Sequence, residues 1–524
     1  MRRLLMQGGM LAVVAACSSS FSSGANDDGG GAAGADSSLG GSGGTAGSSG
    51  GATGGGGGAT GGGGGAAGGS GGTAGSSGGA TGGSGGAAGG SGGAAGGASC
   101  DPAETVGSGV FASPTGSDGT GDGSAGSPLA TVGQALKLAA TGDKVVYLDR
   151  GTYKEQVTAD GTNGGVVIRG GWWRDGTEWK RDCASEARSQ TVIESPTNTG
   201  VRVEGVSLSL ETLTVKTKAN GHSPANGAGE TLYGVFVTGG TAKLTLTDVH
   251  VAPGVGGRGG AVSATLPGLT RDCDGLNNCA NGASADDADA SDPAEAGVFV
   301  KAGYVPGDGE DGHPGNAGNN GTPGNNGVPV SGCRYHDNCA GSCADGCQSP
   351  NVSTSPVVGG TGKCGCGGAG GPAGKGGRGG GGSVALFAAG PCTILVTRSL
   401  LAAGRGGDGS AGLAGSDGED GKTGSAGASA QCWGDCAPVA CGQQGGGCTQ
   451  SFKSVDGGSP GTAGGKGGKG GKGGGGSGGP SLAIVRVAGA TVQRDAASQA
   501  TFVAGGAGIE GAPNGEAKVE RIVP

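Results

Sequence analysis

Residues 200–221 read GVRVEGVSLSLETLTVKTKANG, and residues 234–254 read GVFVTGGTAKLTLTDVHVAPG. Each stretch holds a short apolar strand, a glycine-containing turn, a second alternating strand and a closing turn. Val203, Leu208, Leu210, Leu213 and Val215 alternate with polar residues in the first copy, and Leu244, Leu246, Val249 and Val251 do so in the second. That is the pattern of strands with one buried face. The unit returns over 383–404 (SVALFAAGPCTILVTRSLLAAG) and 481–505. A period of about 22 residues fits one turn of a β-solenoid, in which each turn buries its apolar face only against its neighbours. The fold class read from these repeats is all-β.

Composition makes stacked repeats the only practical core. Glycine supplies 138 of 524 residues and aromatics only 3%, against a usual glycine share of about 7%. Long inserts interrupt the repeats after the second and third copies, both leaving from a turn that ends A-x-G. In the first insert glycine keeps a period of three from Gly309 to Gly327 and again from Gly365 to Gly380; in the second it does so from Gly406 to Gly427 and from Gly458 to Gly479. Gly-His-Pro, Gly-Thr-Pro and Gly-Val-Pro triplets invite a collagen reading. With 21 prolines in the whole chain and arms that leave and return, an intrachain bundle of polyproline-II-like helices packed through glycine faces is the better expectation, with flexible unstructured loops the alternative. Snow-flea-type antifreeze proteins and some phage adhesin tips are similar in this respect.

Upstream, Val110–Gly119 leads into Ser127-Pro128-Leu129-Ala130-Thr131-Val132. A short helical pattern follows (Ala135, Leu136, Leu138, Ala139), then TGDKVVYL over 141–148 and RGTYKE over 150–155. These roughly fifty residues resemble the opening cap of the pectin-lyase-like superfamily. The resemblance implies a right-handed parallel β-helix (solenoid), here with polyglycine/polyproline-II-like inserts. It implies a fold, not a reaction.

The chain begins MRRLLMQGGMLAVVAAC. A basic head, an apolar stretch and small residues before Cys17 have the build of a secretory leader, and the cysteine resembles the bacterial lipoprotein box. The expectation is acylation of Cys17, with Ser18 favouring the outer membrane. Residues 18–98 are nearly all Gly, Ala, Ser and Thr, a composition expected to form a flexible, disordered tether with a span of roughly 50 Å. The formal charge of −9 argues against nucleic acid and offers no polybasic membrane patch. No second apolar run spans a bilayer, so the membrane is reached through lipid alone. The expected layout is 1–17 leader and lipobox, 18–98 tether, 99–254 cap and first turns, 255–382 insert, 383–404 one turn, 405–480 insert, and 481–524 the last turn.

Sixteen cysteines in an oxidising compartment point to disulfides. Candidates are Cys100 with Cys183 in the cap, then Cys273, Cys279, Cys333, Cys339, Cys343, Cys347, Cys364 and Cys366 in the first insert. Cys432, Cys436, Cys441 and Cys448 follow in the second. Connectivity is not legible; Cys392, in a solenoid strand, is expected to be a buried free thiol.

Candidates for chemistry are few. Asp248 and His250, two apart in a strand, would share a face and suit a catalytic pair. Trp172, Trp173 and Trp179 offer either a carbohydrate platform or packing on the first turn. The acidic steps Asp308, Glu310, Asp311 and Asp417, Glu419, Asp420 offer oxygen ligands for Ca2+ without the spacing of a calcium loop. No cofactor is indicated. The function expected is a lipid-anchored cell-surface module, structural or adhesive, contacting polysaccharide, matrix or other cells. A β-helix polysaccharide lyase or hydrolase is the alternative, and an ice- or surface-binding protein a third.

Overall fold

The computed structural model describes residues 101–271, 278–330, 334–335, 351–352, 356–433 and 452–524. The leader, the tether, Cys17 and Cys100 lie outside these residues.

The N-terminal elements are β1 (Val110–Ala112), α1 (Val132–Thr141), β2 (Val145–Asp149), β3 (Gly151–Tyr153), β4 (Val157–Ala159), β5 (Val166–Asp175), β6 (Glu178–Arg181), α2 (Ala187–Gln190) and β7 (Thr191–Glu194). α1 buries Val132, Ala135, Leu136 and Ala139. Its free amides are satisfied twice over: Thr131 accepts from Gln134 N, and Glu155 accepts from Val132 N at 2.7 Å and Gly133 N at 2.9 Å. The GTYKE motif thus reads as a set of constraints. Gly151 has φ +135° and a Cβ there would lie 2.7 Å from Pro114. Tyr153 is buried, with its hydroxyl donating to Ala112 O at 2.9 Å and Asp149 O at 3.0 Å. Glu155 caps the helix.

The chain then alternates between two sheets. β8 (Thr199–Glu204), β10 (Leu232–Thr238), β18 (Ser383–Ala389), β23 (Ser481–Val487) and β26 (Ala517–Val523) join β4 in a six-stranded sheet, ordered β26-β23-β18-β10-β8-β4. β9 (Ser207–Lys216), β11 (Lys243–Ala252), β19 (Thr393–Thr397), β20 (Leu400–Ala402), β24 (Thr491–Arg494) and β25 (Gln499–Thr501) join the N-terminal strands in a twelve-stranded sheet. Within these two sheets every pairing is parallel except β5 with β6. The fold is mostly β, with parallel sheets.

Registers stack like residues into columns. Val110, Val146, Ile168, Leu210, Leu246 and Val396 form one, and Val157, Val201, Val235, Leu386 and Ile484 another. All lie in a single buried core. Corners stack as well. Thr212, Asp248 and Arg398 occupy matching positions with φ of +50°, +55° and +49°, and the chain turns there from one strand segment to the next. A second corner stacks Gly205, Gly239, Gly390 and Ala488, with φ of +67°, +97°, +88° and +52°.

Smaller pairs belong to the inserts. β12 (Val298–Val300) and β13 (Gly303–Val305) form an antiparallel hairpin, β14 (Pro329–Val330) pairs with β17 (Val357–Val358), β15 (Arg334–Tyr335) with β16 (Asn351–Val352), and β21 (Ala430–Trp433) with β22 (Phe452–Val455). The hairpin lays Phe299 against Phe387, with ring centroids 6.2 Å apart, and so covers an apolar cluster on the outer face of the smaller sheet.

The glycine arms are neither helix nor strand, yet they are hydrogen-bonded at every third residue. Gly309, Gly312, Gly315, Gly318, Gly321 and Gly324 donate to the carbonyls of Gly377, Gly374, Gly371, Gly368, Gly365 and Gly362. Gly368, Gly371, Gly374 and Gly377 donate in turn to Gly465, Gly468, Gly471 and Gly474. Arm 404–428 bonds to both central arms. A further arm, 283–294, carries no glycine period, but Ala285, Ala288 and Ser291 donate to Lys466, Lys469 and Lys472.

Glycine content follows the number of closed sides. Arms 359–381 and 457–480 have neighbours on several sides and mostly two glycines per triplet. A Cβ on Gly370 would stand 1.7 Å from Gly315 O and one on Gly371 2.0 Å from Ser416 O, in different arms. Arms 307–327 and 404–428 need one glycine per triplet, which faces 457–480 from Gly309 to Gly324 and from Gly409 to Gly421. Arm 283–294, at the edge, needs none. The Cys279–Cys364 disulfide ties the start of the edge arm to a central one across 85 residues of chain.

Candidate functional site

The sequence-nominated pair does not form. Asp248 occupies the corner of β11, where its positive φ breaks the strand alternation, while His250 faces outward between Thr214 and Leu400 on the next segment. The expectation of a shared face therefore fails at the bend. Asp248 pairs instead with Arg188 at 3.4 Å. Burial raises its carboxyl above the usual range against the pull of Arg188, Arg398 and Arg181. Burial, then Arg188 and Lys216, hold His250 below the usual imidazole value.

The tryptophans pack. Trp172 and Trp179 are 1% and 6% exposed, which leaves no face for a sugar and corrects the carbohydrate-platform reading for both. Phe111 lies 5.2 Å from Tyr147 and 4.8 Å from Trp179, and Tyr147 lies 5.3 Å from Trp172. Trp179 Nε1 donates to Ala125 O at 3.0 Å. Trp173 is half-buried, with Arg150 and Lys180 against its ring at 5.3 and 5.0 Å.

The two acidic steps are not brought together. Asp308 accepts from Gly379 N and Arg378, Asp311 accepts from Gly376 N, and Asp417 faces Lys469 at 3.9 Å. Gly309 bonds level with Gly377, whereas Glu419 bonds level with Ala369. The steps therefore sit about 25 Å apart along arms that rise about 3.1 Å per residue. Among the described residues no three His, Cys, Asp or Glu side chains are placed to hold a metal ion. Of the Ca2+ candidates Asp308, Glu310, Asp311, Asp417, Glu419 and Asp420, the side chains of Asp308 and Asp311 bridge neighbouring arms and Asp417 faces Lys469.

Of the cysteines, Cys279 and Cys364 bond to each other, and Cys183 and Cys366 are disulfide-bonded. Cys392 is a buried free thiol, in the turn just before β19 rather than within a strand, and burial raises its pKa. Cys273, Cys333, Cys339, Cys343, Cys347, Cys436, Cys441 and Cys448, with the side chain of Cys432, lie outside the described residues.

The structure adds a groove that the sequence reading missed. Two adjoining hollows of about 320 and 440 Å³ share Ser223 and Arg258 along the bases of the inserts. Arg258 and Arg405 converge on Asp408 from 3.4 and 2.6 Å. One carboxylate serves two guanidiniums, and Arg258 remains 73% exposed. Backbone of Gly256, Gly259 and Gly409 forms part of the walls. A signal existed. Aligning the two insert exits, GVGGR at 254–258 and GRGGD at 404–408, sets Arg258 over Asp408. Gly259 N donates to Asp408 O at 2.8 Å.

Among the described residues no helix is long and apolar enough to cross a membrane. Comparisons with protein-family models, curated proteins and solved structures find no match to this chain.

Proposed function

We propose that this chain is a lipid-anchored, outer-membrane cell-surface protein, in which a right-handed parallel β-helix carries a bundle of polyproline-II-like arms. It works as a structural or adhesive module that contacts extracellular polysaccharide, matrix or other cells. The observation that carries the reading is the bundle itself: arms locked to one another at every third residue and pinned to the sheets. Such a body resists bending, because each arm's bonds are made by its neighbours and none can move alone. The stacked columns and corners support the β-helix, and the leader sequence and Cys17 support the anchor. The Arg258–Arg405 groove supplies a contact surface with unspent hydrogen-bond donors.

The test uses the full chain with a panel of uronate-containing and neutral polysaccharides, assayed for retention and for new chain ends. Retention without new ends, lost on mild reduction, is the expected result. New ends that vanish with Asp248→Asn or His250→Gln would overturn it in favour of a polysaccharide-cleaving enzyme. Acylation is checked separately by the mass of the N-terminal peptide, which must return to that of an unmodified chain in Cys17→Ser.

A further inference from the structure

We infer that the open face of the β12–β13 hairpin and the cleft beside it form a docking site for an extended peptide that is both aliphatic and basic. The hairpin has two unlike faces. Phe299 and Tyr304 turn toward the sheet, where Tyr233 Oη accepts from Tyr304 N at 2.7 Å. On the opposite face Val298 pairs in register with Val305. Val298, Val300 and Val305 are 53%, 42% and 50% exposed. Three β-branched side chains on one small, rigidly seated hairpin make an apolar patch that its own fold leaves uncovered among the described residues.

The patch continues into a cleft of about 310 Å³, walled by 293–298 and 305–310. Pro293, Ala294, Ala296, Val305 and Pro306 supply apolar side chains to a lining that is otherwise backbone and acid. Its charged members are all acidic: Glu295, Asp308 and Glu310. Asp308 is held by Arg378, whereas Glu295 and Glu310 make no ion pair among the described residues. The single cation on the hairpin, Lys301, stands at its turn. An exposed valine patch beside unneutralised acids selects an occupant that brings aliphatic side chains and positive charge together. An extended segment does this, because successive side chains point to opposite sides and can meet the valines and the acids in turn. The partner class is therefore a protein or peptide, independent of any glycan bound elsewhere.

The probe is a fluorescein-labelled peptide of alternating lysine and valine, titrated with the full oxidised chain and read by anisotropy. Lysine–serine and glutamate–valine peptides serve as comparisons. Saturable binding of the lysine–valine peptide alone is expected, weakened tenfold or more by Val298→Ser with Val305→Ser. Glu295→Gln with Glu310→Gln should weaken it severalfold and flatten its salt dependence. All four positions are at the surface, and an unchanged melting curve verifies that each variant is folded. Equal binding of the lysine–serine peptide, binding indifferent to the valine changes, or no binding at all would each overturn the inference.

Discussion

Arg486 and Glu520 form a 2.6 Å ion pair at two positions that the preceding strands fill only with apolar residues. Arg486 follows Ala159, Val203, Val237 and Ala388 in its column, and Glu520 follows Val157, Val201, Val235, Leu386 and Ile484. Arg494 closes a third column after Leu246 and Val396. At the N-terminal end α1 covers the core. At the other end the core stops at charge, and inward-pointing charge is a device that keeps an open sheet edge from recruiting another.

Replacing both partners, Arg486→Val with Glu520→Val, should therefore leave the chain folded and at least as stable, but prone to associate end to end. Light scattering after size-exclusion chromatography is expected to show concentration-dependent oligomers absent from the native protein. Glu520→Ala alone strands the guanidinium and should cost about 1 kcal/mol. A double variant that stays monomeric at high concentration would remove the protective role.

The relation between glycine and closed sides gives a second expectation. Gly371→Ala places a methyl 2.0 Å from Ser416 O, so two arms must separate at a cost of about 1–3 kcal/mol. Lys469→Ala, on the exposed position of a neighbouring triplet, should change stability by less than about 0.5 kcal/mol. Chemical denaturation of the two variants measures the contrast, and equal effects would mean that the arms do not pack as closely as the structure has them.

The same relation explains what the sequence could and could not convey. The alternation at Leu208, Leu210, Leu244 and Leu246 is legible because a buried strand face admits only apolar residues. The arms from Gly309, Gly365, Gly406 and Gly458 are legible because closed sides admit only glycine. Arm 283–294 was missed, since an edge arm needs no glycine and its ASADDADASD reads as a polar loop. The shared face expected of Asp248 and His250 fails because strand periodicity carries no mark of a corner that a non-glycine residue fills at positive φ. The Arg258–Asp408 contact was missed because it joins two inserts 150 residues apart.

Corner chemistry makes the third expectation. Gly205, Gly239 and Gly390 hold a turn that Ala488 holds at φ +52°, a conformation that costs a residue with a Cβ about 1 kcal/mol. Ala488→Gly should recover part of this, about 0.5–1 kcal/mol, after the loss of a partly buried methyl. The gain is checked by the denaturation midpoint; a lower midpoint would show that the methyl's packing outweighs the backbone strain.

The last expectation concerns acidity. His250 is held below the usual imidazole value by burial and by Arg188 and Lys216, so in mildly acidic solution the unfolded chain binds this proton more readily than the folded one. Stability then rises with pH through that window and falls on acidification from about 6.5 downward. His250→Gln removes the titration while keeping an outward polar side chain on β11. Melting temperatures measured between pH 7.5 and pH 5 should fall more steeply for the native protein than for the variant. Asp248, raised by burial, acts in the opposite sense. Its proton is held more tightly in the folded state, so its contribution grows as pH drops toward the carboxylate range. The two residues are therefore separable by pH: the His250 effect sets in first on acidification, and Asp248→Asn should leave that upper limb of the curve unchanged.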